Sequence, residues 1–211
     1  FSIEMQTPGY AFFEDRVGTP PFGDHALGGG SEFGSFAACF SDVADVDRRL
    51  ADRMFRTWQK AGMPFKKLWG EGVVLENILS SCNEYKPEES LTLTSTRDFP
   101  NAGIYVFRNR YGTPQESYFA IMSSPEPIAH GHLDQGAFVL YKNKVPLVMD
   151  SGIEGYFDSS TRWHISSYSH ACMQFATKRT DIVKDDEGAI NLSAGTYSLE
   201  RGWVEVPRSS T

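Results

Sequence analysis

The sequence predicts a mainly β protein in which an antiparallel β-sandwich follows a few helices. At about residue 91 the spacing of apolar residues changes from three and four to two, and short β-branched and aromatic segments then alternate with turn-forming sequences. Many short strands joined by regular turns are typical of antiparallel sandwiches. We therefore divide the chain into a helical segment, residues 1–88, and a β-sandwich domain, residues 89–211, which we expect to be incomplete.

Two helices are predicted in the first segment. Residues 41–61 carry apolar side chains at spacings of three and four, which is the pattern of a helix with one buried face. Ser41 or Asp42 can cap its start, and Gly62 can end it. The apolar pattern of residues 70–83 predicts a second helix.

Seven short segments of the second part are predicted to be strands. Each is rich in β-branched and aromatic residues, and turns such as KNKV and KDDEG separate them. The segments are 91–96, 103–109, 117–123, 136–143, 145–151, 171–177 and 195–200.

Composition excludes two classes of protein. The net charge of -7 and the pI near 5.2 argue against a nucleic-acid partner, because phosphate binding requires a basic field. No apolar run approaches the roughly 20 residues of a membrane span. The three cysteines are far apart and form no CxxC pair, so we expect free thiols.

A functional site is indicated by His130, His132, Asp150 and His170. Alternate residues of an extended chain share a face, so His130, His132 and Asp134 can converge on one surface. A predicted hairpin then returns the chain to Asp150, at the end of an apolar run, and His170 precedes another apolar segment. Such a set suits a zinc site with an open position or a catalytic site.

An alternative is that these are unrelated loop histidines. Against it, four of the five histidines lie between residues 130 and 170. Tyr156, Arg162 and Trp163 lie in the same stretch. Tyrosine can act as an acid or base beside cations, and Trp163 can stack on a sugar ring or pack in the core. His25, in the Gly-rich and Pro-rich N-terminal loop, either lines the cleft or faces solvent.

One long stretch resembles the signature of heparinase II/III-type polysaccharide lyases. The stretch is HGHLDQGAFVLYKNKVPLVMDSGIEGYFDSSTRWHISSYSHACMQF, and its HGHLD, VMDSG and YSH spacing is the most specific part. Upstream, RDFPNAGIYVFRN resembles the opening strand of the central β-sandwich of this family. PPFGD resembles a loop near the end of the (α/α) toroid that precedes the sandwich.

The resemblance implies a role for each matching residue. His132, Asp150 and His170 match three ligands to a metal, usually a structural zinc. His130 matches a residue that helps to neutralise the substrate's uronate carboxylate, and Tyr156 matches a catalytic acid or base. The family continues His-Asn-Thr at the third ligand, whereas this chain has His170, alanine and cysteine, which puts the local geometry in doubt.

The resemblance also implies a larger protein. Residues 1–88 would be only the last helices of the toroid, so the missing part of that domain becomes an expected partner. The substrate would be an anionic, uronate-containing polysaccharide, contacted by residues such as Arg162, Trp163 and His25. The location would be secreted or periplasmic in a bacterium.

Two other functions fit parts of the pattern. A carbohydrate-binding β-sandwich module could keep the metal and perform no chemistry, and the abrupt start of the chain favours this for the fragment. Cupins also use two histidines at this spacing, but they need a glutamate shortly after the pair. Here the next residues are Leu133, Asp134, Gln135 and Gly136, so a cupin is disfavoured.

Overall fold

The computed structural model describes residues 1–25, 31–64, 84–123, 132, 134–153, 161–166, 169–172, 182–184 and 190–192. The helices are α1 (Ser2–Met5), α2 (Phe40–Ala44), α3 (Arg48–Lys60) and α4 (Thr161–His164), with 3-10 turns at Ala11–Phe13 and Ser31–Ala38. The strands are β1 (Thr96–Phe99), β2 (Ile104–Asn109), β3 (Ser117–Met122), β4 (Phe138–Lys142), β5 (Val145–Val148), β6 (Ile182–Lys184) and β7 (Ile190–Leu192). The predicted fold class, mainly β with preceding helices, is confirmed.

The first five strands form one antiparallel sheet in the order β1-β2-β3-β4-β5. Strands β6 and β7 pair with each other in a second sheet. Each strand of the large sheet pairs with the next along the chain, as in a meander of antiparallel strands. The predicted strands at 103–109, 117–123, 136–143 and 145–151 are therefore present, with ends shifted by a few residues.

The hairpin between β4 and β5 directs the chain towards the predicted site. Asn143 and Lys144 both have positive φ, 52° and 62°, as a two-residue turn that matches the twist of the strands requires. The register shifts between Leu140 and Tyr141. The hairpin thus places Asp150, two residues after β5, near the residues that precede β4.

The two faces of the large sheet have different environments. Buried residues of the inner face pack against Met5 and Phe22 from the N-terminal segment. The inner residues are Ile104, Val106, Tyr118, Ala120, Val139 and Tyr141. The opposite side, here called the outer aromatic face, comprises Tyr105, Phe107, Phe119 and Phe138. Its Phe107 is 44% exposed, and rings of neighbouring strands lie 5.8 to 6.0 Å apart.

The predicted helix at 41–61 is wrong in one respect, because the structure contains two helices there, α2 and α3. Asp47 separates them: its carboxylate accepts a hydrogen bond from the backbone N–H of Leu50 and caps α3. The predicted caps at Ser41 and Asp42 are replaced by a start at Cys39, whose side chain makes no capping bond. Gly62, with φ of 84°, follows the end of α3 as predicted.

The predicted strand at 91–96 is also wrong, since β1 begins only at Thr96. Leu91 is buried in the helical cluster. The backbone N–H and the hydroxyl of Thr94 both donate to the Glu4 carboxylate instead of joining the sheet. The predicted helix at 70–83, most of the strand at 171–177 and the strand at 195–200 lie outside the described residues. No helix in the described part of the chain has the length and apolarity to cross a membrane.

Two buried carboxylates connect the helical part to the rest of the chain. We call Glu4 and Asp52 the arginine-paired acids. Glu4 pairs with Arg53 and accepts from Thr94. Asp52 lies 3.3 Å from Arg48 and accepts from the Tyr85 hydroxyl at 2.6 Å. Burial alone would raise both pKa values, but these donors outweigh it and lower the pKa of each carboxyl.

Candidate metal centre

Three separate segments bring the site together at one end of the hairpin. His132 and Asp134 precede β4, and the N–H of Ala137 bonds to the carbonyl of Asp134 in a turn. Asp150 follows β5. His170 is placed beside Asp150 because its neighbour Ala171 donates from N–H to the Asp150 carboxylate at 3.3 Å. The carbonyl of Ala171 also accepts from the N–H of Phe138.

The two histidine rings face each other. Nδ1 of His132 lies 3.2 Å from Nε2 of His170. On the far side of each ring stands a carboxylate: Nε2 of His132 is 3.0 Å from Oδ1 of Asp24. Nδ1 of His170 is 2.8 Å from Oδ1 of Asp150. Each imidazole therefore lies between a carboxylate and the other imidazole.

This order of groups fixes where the ring protons lie. An ionised carboxylate can only accept hydrogen bonds, so the outer nitrogen of each ring must donate. A neutral imidazole has one N–H, and its second nitrogen then carries a lone pair. When both rings are neutral, Nδ1 of His132 and Nε2 of His170 consequently direct lone pairs at a common point. A cation at that point would relieve their repulsion.

Burial favours the neutral form of His132 and disfavours charge on Asp134. His132 and Asp134 are 2% exposed, and Asp150 is 1% exposed. Burial and then the neighbouring His170 lower the pKa of His132. Burial raises the pKa of Asp134 to about 6. Burial and the nearby Asp150 also raise the pKa of the Cys172 thiol.

The donor set fits a zinc ion. His132, Asp134 and His170 each offer one donor atom, and these atoms lie within 4.8 Å of one another. Two imidazole nitrogens and a carboxylate oxygen form a common zinc set. Asp150, at the outer nitrogen of His170, occupies the position of the carboxylate that orients a metal-bound histidine. The structure thus presents a candidate His/Asp/His metal-binding group.

The structure brings three predicted residues together, namely His132, Asp150 and His170. Its geometry groups Asp134 with the two histidines. Asp150 instead contacts Nδ1 of His170, the ring nitrogen on the side away from His132. The assignment of Asp150 as a ligand stays a prediction. His130 and Tyr156 lie outside the described residues, so their roles also stay predictions.

The predicted substrate-binding residues lie around the same strand end. Trp163 is on α4 and is 39% exposed. The neighbouring His164 contacts the carbonyl of Gly152 through Nδ1 at 3.1 Å. His25 is exposed, and its carbonyl accepts from the N–H of Ile153. The side chain of Arg162 lies outside the described part of the structure.

Asp24 is the site residue that the sequence reasoning missed. It lies 108 positions from His132, so no spacing pattern connects the two. The one signal for it in the sequence is its place in PPFGD, which resembles a loop near the end of the (α/α) toroid. Phe22 in that segment is buried against the sheet, which holds Asp24 beside His132.

The fold and the site define a mainly β domain with a candidate metal centre. Residues 92–194, just under half of the chain, match the family model described as Heparinase II/III-like, C-terminal. This match confirms the resemblance predicted from the sequence. No curated protein matches the chain at a significant level.

Solved structures are also similar to the chain. A heparinase III structure is 19% identical, with a TM-score of 0.50, and the match covers 80% of this chain and 24% of that one. A heparan sulfate lyase from Pedobacter heparinus is 18% identical, with a TM-score of 0.43 and coverage of 77% and 21%. The first likeness shows the fold. The chain therefore spans a quarter or less of the length of these proteins.

Proposed function

We propose that this chain is part of a polysaccharide lyase that cleaves uronic-acid-containing polysaccharides, such as glycosaminoglycans or alginate, by β-elimination. One observation carries the proposal: a heparinase II/III-like domain holds a buried His132–His170 pair with a carboxylate behind each ring. The similar heparinase III and heparan sulfate lyase structures support the substrate class. We place the parent protein outside a bacterial cell or in its periplasm.

The metal of this site is proposed to be a structural zinc. His132 and His170 supply nitrogen ligands, and an aspartate supplies oxygen. The family resemblance selects Asp150 for that role, and the geometry selects Asp134. A zinc ion bound there would neutralise the buried acids and hold the segments around β4 and β5 in place. The near-complete burial of the group supports this structural role.

The elimination itself is assigned to His130 and Tyr156. A base takes the proton from C5 of the uronate, the electron pair forms the C4–C5 double bond, and the bond from C4 to the glycosidic oxygen breaks. His130 donates to the uronate carboxylate, where negative charge develops. Tyr156 moves the proton between C5 and the leaving oxygen.

Substrate contacts are assigned to Trp163, His25 and Arg162. Trp163 and His25 are exposed. His164, the neighbour of Trp163, contacts the carbonyl of Gly152, and the carbonyl of His25 accepts from the N–H of Ile153, next to Asp150. An exposed indole offers a flat apolar surface to a sugar ring. The guanidinium of Arg162 pairs with a carboxylate or sulfate. The missing part of the toroid domain supplies the opposite wall of the cleft.

Lyase activity is tested on the intact parent protein with uronate polysaccharides. The product carries a double bond conjugated to the carboxylate, so absorbance in the near ultraviolet should rise with time. Tyr156→Phe should reduce the rate by about a hundredfold or more, because proton transfer by a positioned group contributes 10²–10⁴. Tyr105→Phe, on the outer aromatic face, is the matched control and should retain the rate. If the parent protein gives no rise in absorbance with any uronate polymer, the lyase function is refuted.

The metal assignment is tested by zinc content after purification. The wild-type chain should hold about one zinc per chain, and His132→Ala should hold almost none. Asp134→Asn and Asp150→Asn separate the two candidate oxygen ligands, since loss of the ligand should reduce zinc uptake more than loss of its neighbour. If wild-type protein holds no zinc, the metal assignment is wrong. The lyase function is then decided by the absorbance assay for the unsaturated product.

A second function is a metal-stabilised carbohydrate-binding module that performs no chemistry. The observation that favours it is the burial of His132, Asp134 and His170, which leaves the group little access to a substrate. This module would bind uronate polymers through Trp163 without releasing unsaturated product. Binding that Trp163→Ala abolishes, in a protein with no lyase activity, would select this function.

A further inference from the structure

We infer that Asp24 is a positioning residue for the metal centre, so that the N-terminal loop Pro20–His25 and the sheet domain are joined by the bound metal. The inference deepens the proposed function and rests on the zinc that is proposed there. It concerns a residue far from the other site residues in the sequence. It assigns Asp24 to orienting His132, with no contact to the reacting sugar.

The loop reaches the site through three consecutive residues. The N–H of Gly23 donates to Oδ2 of Asp134 at 2.8 Å. Asp24 accepts from Nε2 of His132. The carbonyl of His25 accepts from the N–H of Ile153 at 3.2 Å. The loop thus contacts both segments that frame the hairpin, before β4 and after β5.

The backbone of the loop is shaped for this approach. Gly23 has φ of 59°, a conformation in which side chains are strained, and its N–H consequently points towards Asp134. Phe22, the residue before Gly23, is 4% exposed and anchors the loop in the core of the sheet. The N–H of His25 bonds to the carbonyl of Phe22 and closes the turn. Asp24 is therefore held in place by its two neighbours.

The contact of Asp24 decides which nitrogen of His132 can bind a metal. Because the carboxylate accepts from Nε2, the lone pair of His132 lies on Nδ1 and faces His170. Without Asp24, His132 can move its proton to Nδ1 and turn its lone pair away. The side chain of Asp24 is 35% exposed, so its removal should weaken the metal site more than the fold.

Coupling between two sites is reciprocal, so the metal should also act on the loop. Zinc binding favours the state in which His132 donates to Asp24, and that state includes the docked loop. Backbone amides of Gly23 and Ile153 should therefore exchange more slowly in the zinc-bound protein. Chelation should release this protection without affecting amides in the middle of β2 and β3.

The test measures zinc affinity by competition with a chelator of known affinity. Asp24→Ala should weaken zinc binding by about 10–100-fold, the usual effect of removing a partner of a metal-bound histidine. Asp24→Asn should fall between Asp24→Ala and wild type, because the amide oxygen still accepts from Nε2. Asp45→Ala is the matched control: Asp45 is exposed at the end of α2 and should leave the affinity unchanged.

The outcomes separate this inference from the proposed function. The role of Asp24 is overturned if the zinc affinity of Asp24→Ala is within about twofold of wild type, or if zinc does not change amide exchange at Gly23. Neither result contradicts the metal site itself. A wild-type chain that takes up no zinc overturns both. Thermal unfolding of each metal-free variant accompanies the titration. If Asp24→Ala unfolds, amide exchange at Gly23 of the wild-type chain, with and without zinc, decides the question.

Discussion

The arginine-paired acids and the acids of the metal centre are buried to a similar degree, yet their environments differ. Asp52 has a lowered pKa because Tyr85, two backbone N–H groups and Arg48 outweigh its burial. Burial raises the pKa of Asp134 to about 6. Among the described residues, no lysine or arginine pairs with Asp134 or Asp150.

The difference distinguishes acids that the fold pairs with its own cations from acids that it does not. A buried charge is costly unless it is paired. In the helical part the fold provides Arg48 and Arg53. At the end of the hairpin it provides imidazoles, a side chain that commonly binds metals. Aspartate thus contacts arginine in one region, at Asp52, and histidine in the other, at Asp150.

The largest effect is expected from Asp52→Ala, which leaves the donors around Asp52 without their acceptor. Arg48 is 44% exposed, so the loss comes mainly from the three donors left without an acceptor, at about 1–3 kcal/mol each, or roughly 3–5 kcal/mol together. The free energy of unfolding, from urea titration at pH 7 with saturating zinc, should fall by this amount. Asp45→Ala should change it by less than about 0.5 kcal/mol, as exposed substitutions usually do. Equal losses in both variants would show that Asp52 carries no special share of the stability.

The next effect is expected from metal removal, which should destabilise the hairpin end and not the helical part. Zinc at a thousandfold excess over its dissociation constant contributes about 4 kcal/mol to stability. Chelation should lower the unfolding temperature of wild type and leave that of His170→Ala unchanged. An equal response to chelator in both proteins would mean that zinc acts elsewhere.

A smaller effect is expected from acid. The pKa values of Glu4 and Asp52 are lower in the folded protein than their ordinary values of 4.5 and 3.8. Their stabilisation is therefore complete above those values, and it is lost as pH falls through the lower, folded-state values. Asp52→Asn should make the decline in unfolding free energy below about pH 4 shallower. Asp45→Asn should retain the wild-type slope, and a steep decline in both variants would contradict the assignment.

The local parts of the fold and of the site could be predicted from the sequence. Alternating apolar residues and the KNKV turn specify the hairpin of β4 and β5, because both depend on near neighbours. The closeness of His132 and Asp150 follows from this hairpin, because it returns the chain to the edge where it began. The break between α2 and α3 was missed because the helical spacing of the apolar residues continues across it. Asp47 can either cap a helix or lie within one. Asp24 was missed because its partner is brought near only by the packing of Phe22.

The outer aromatic face has a consequence for how the chain behaves in solution. Phe107 and its neighbours present a flat apolar surface on a sheet, and large exposed patches of this kind favour association. We expect the purified chain to scatter light increasingly with concentration and to brighten a hydrophobic dye. Replacement of Phe107 by threonine should reduce both signals, since threonine suits a strand and is polar. Handling of this chain at high concentration therefore depends on the outer aromatic face.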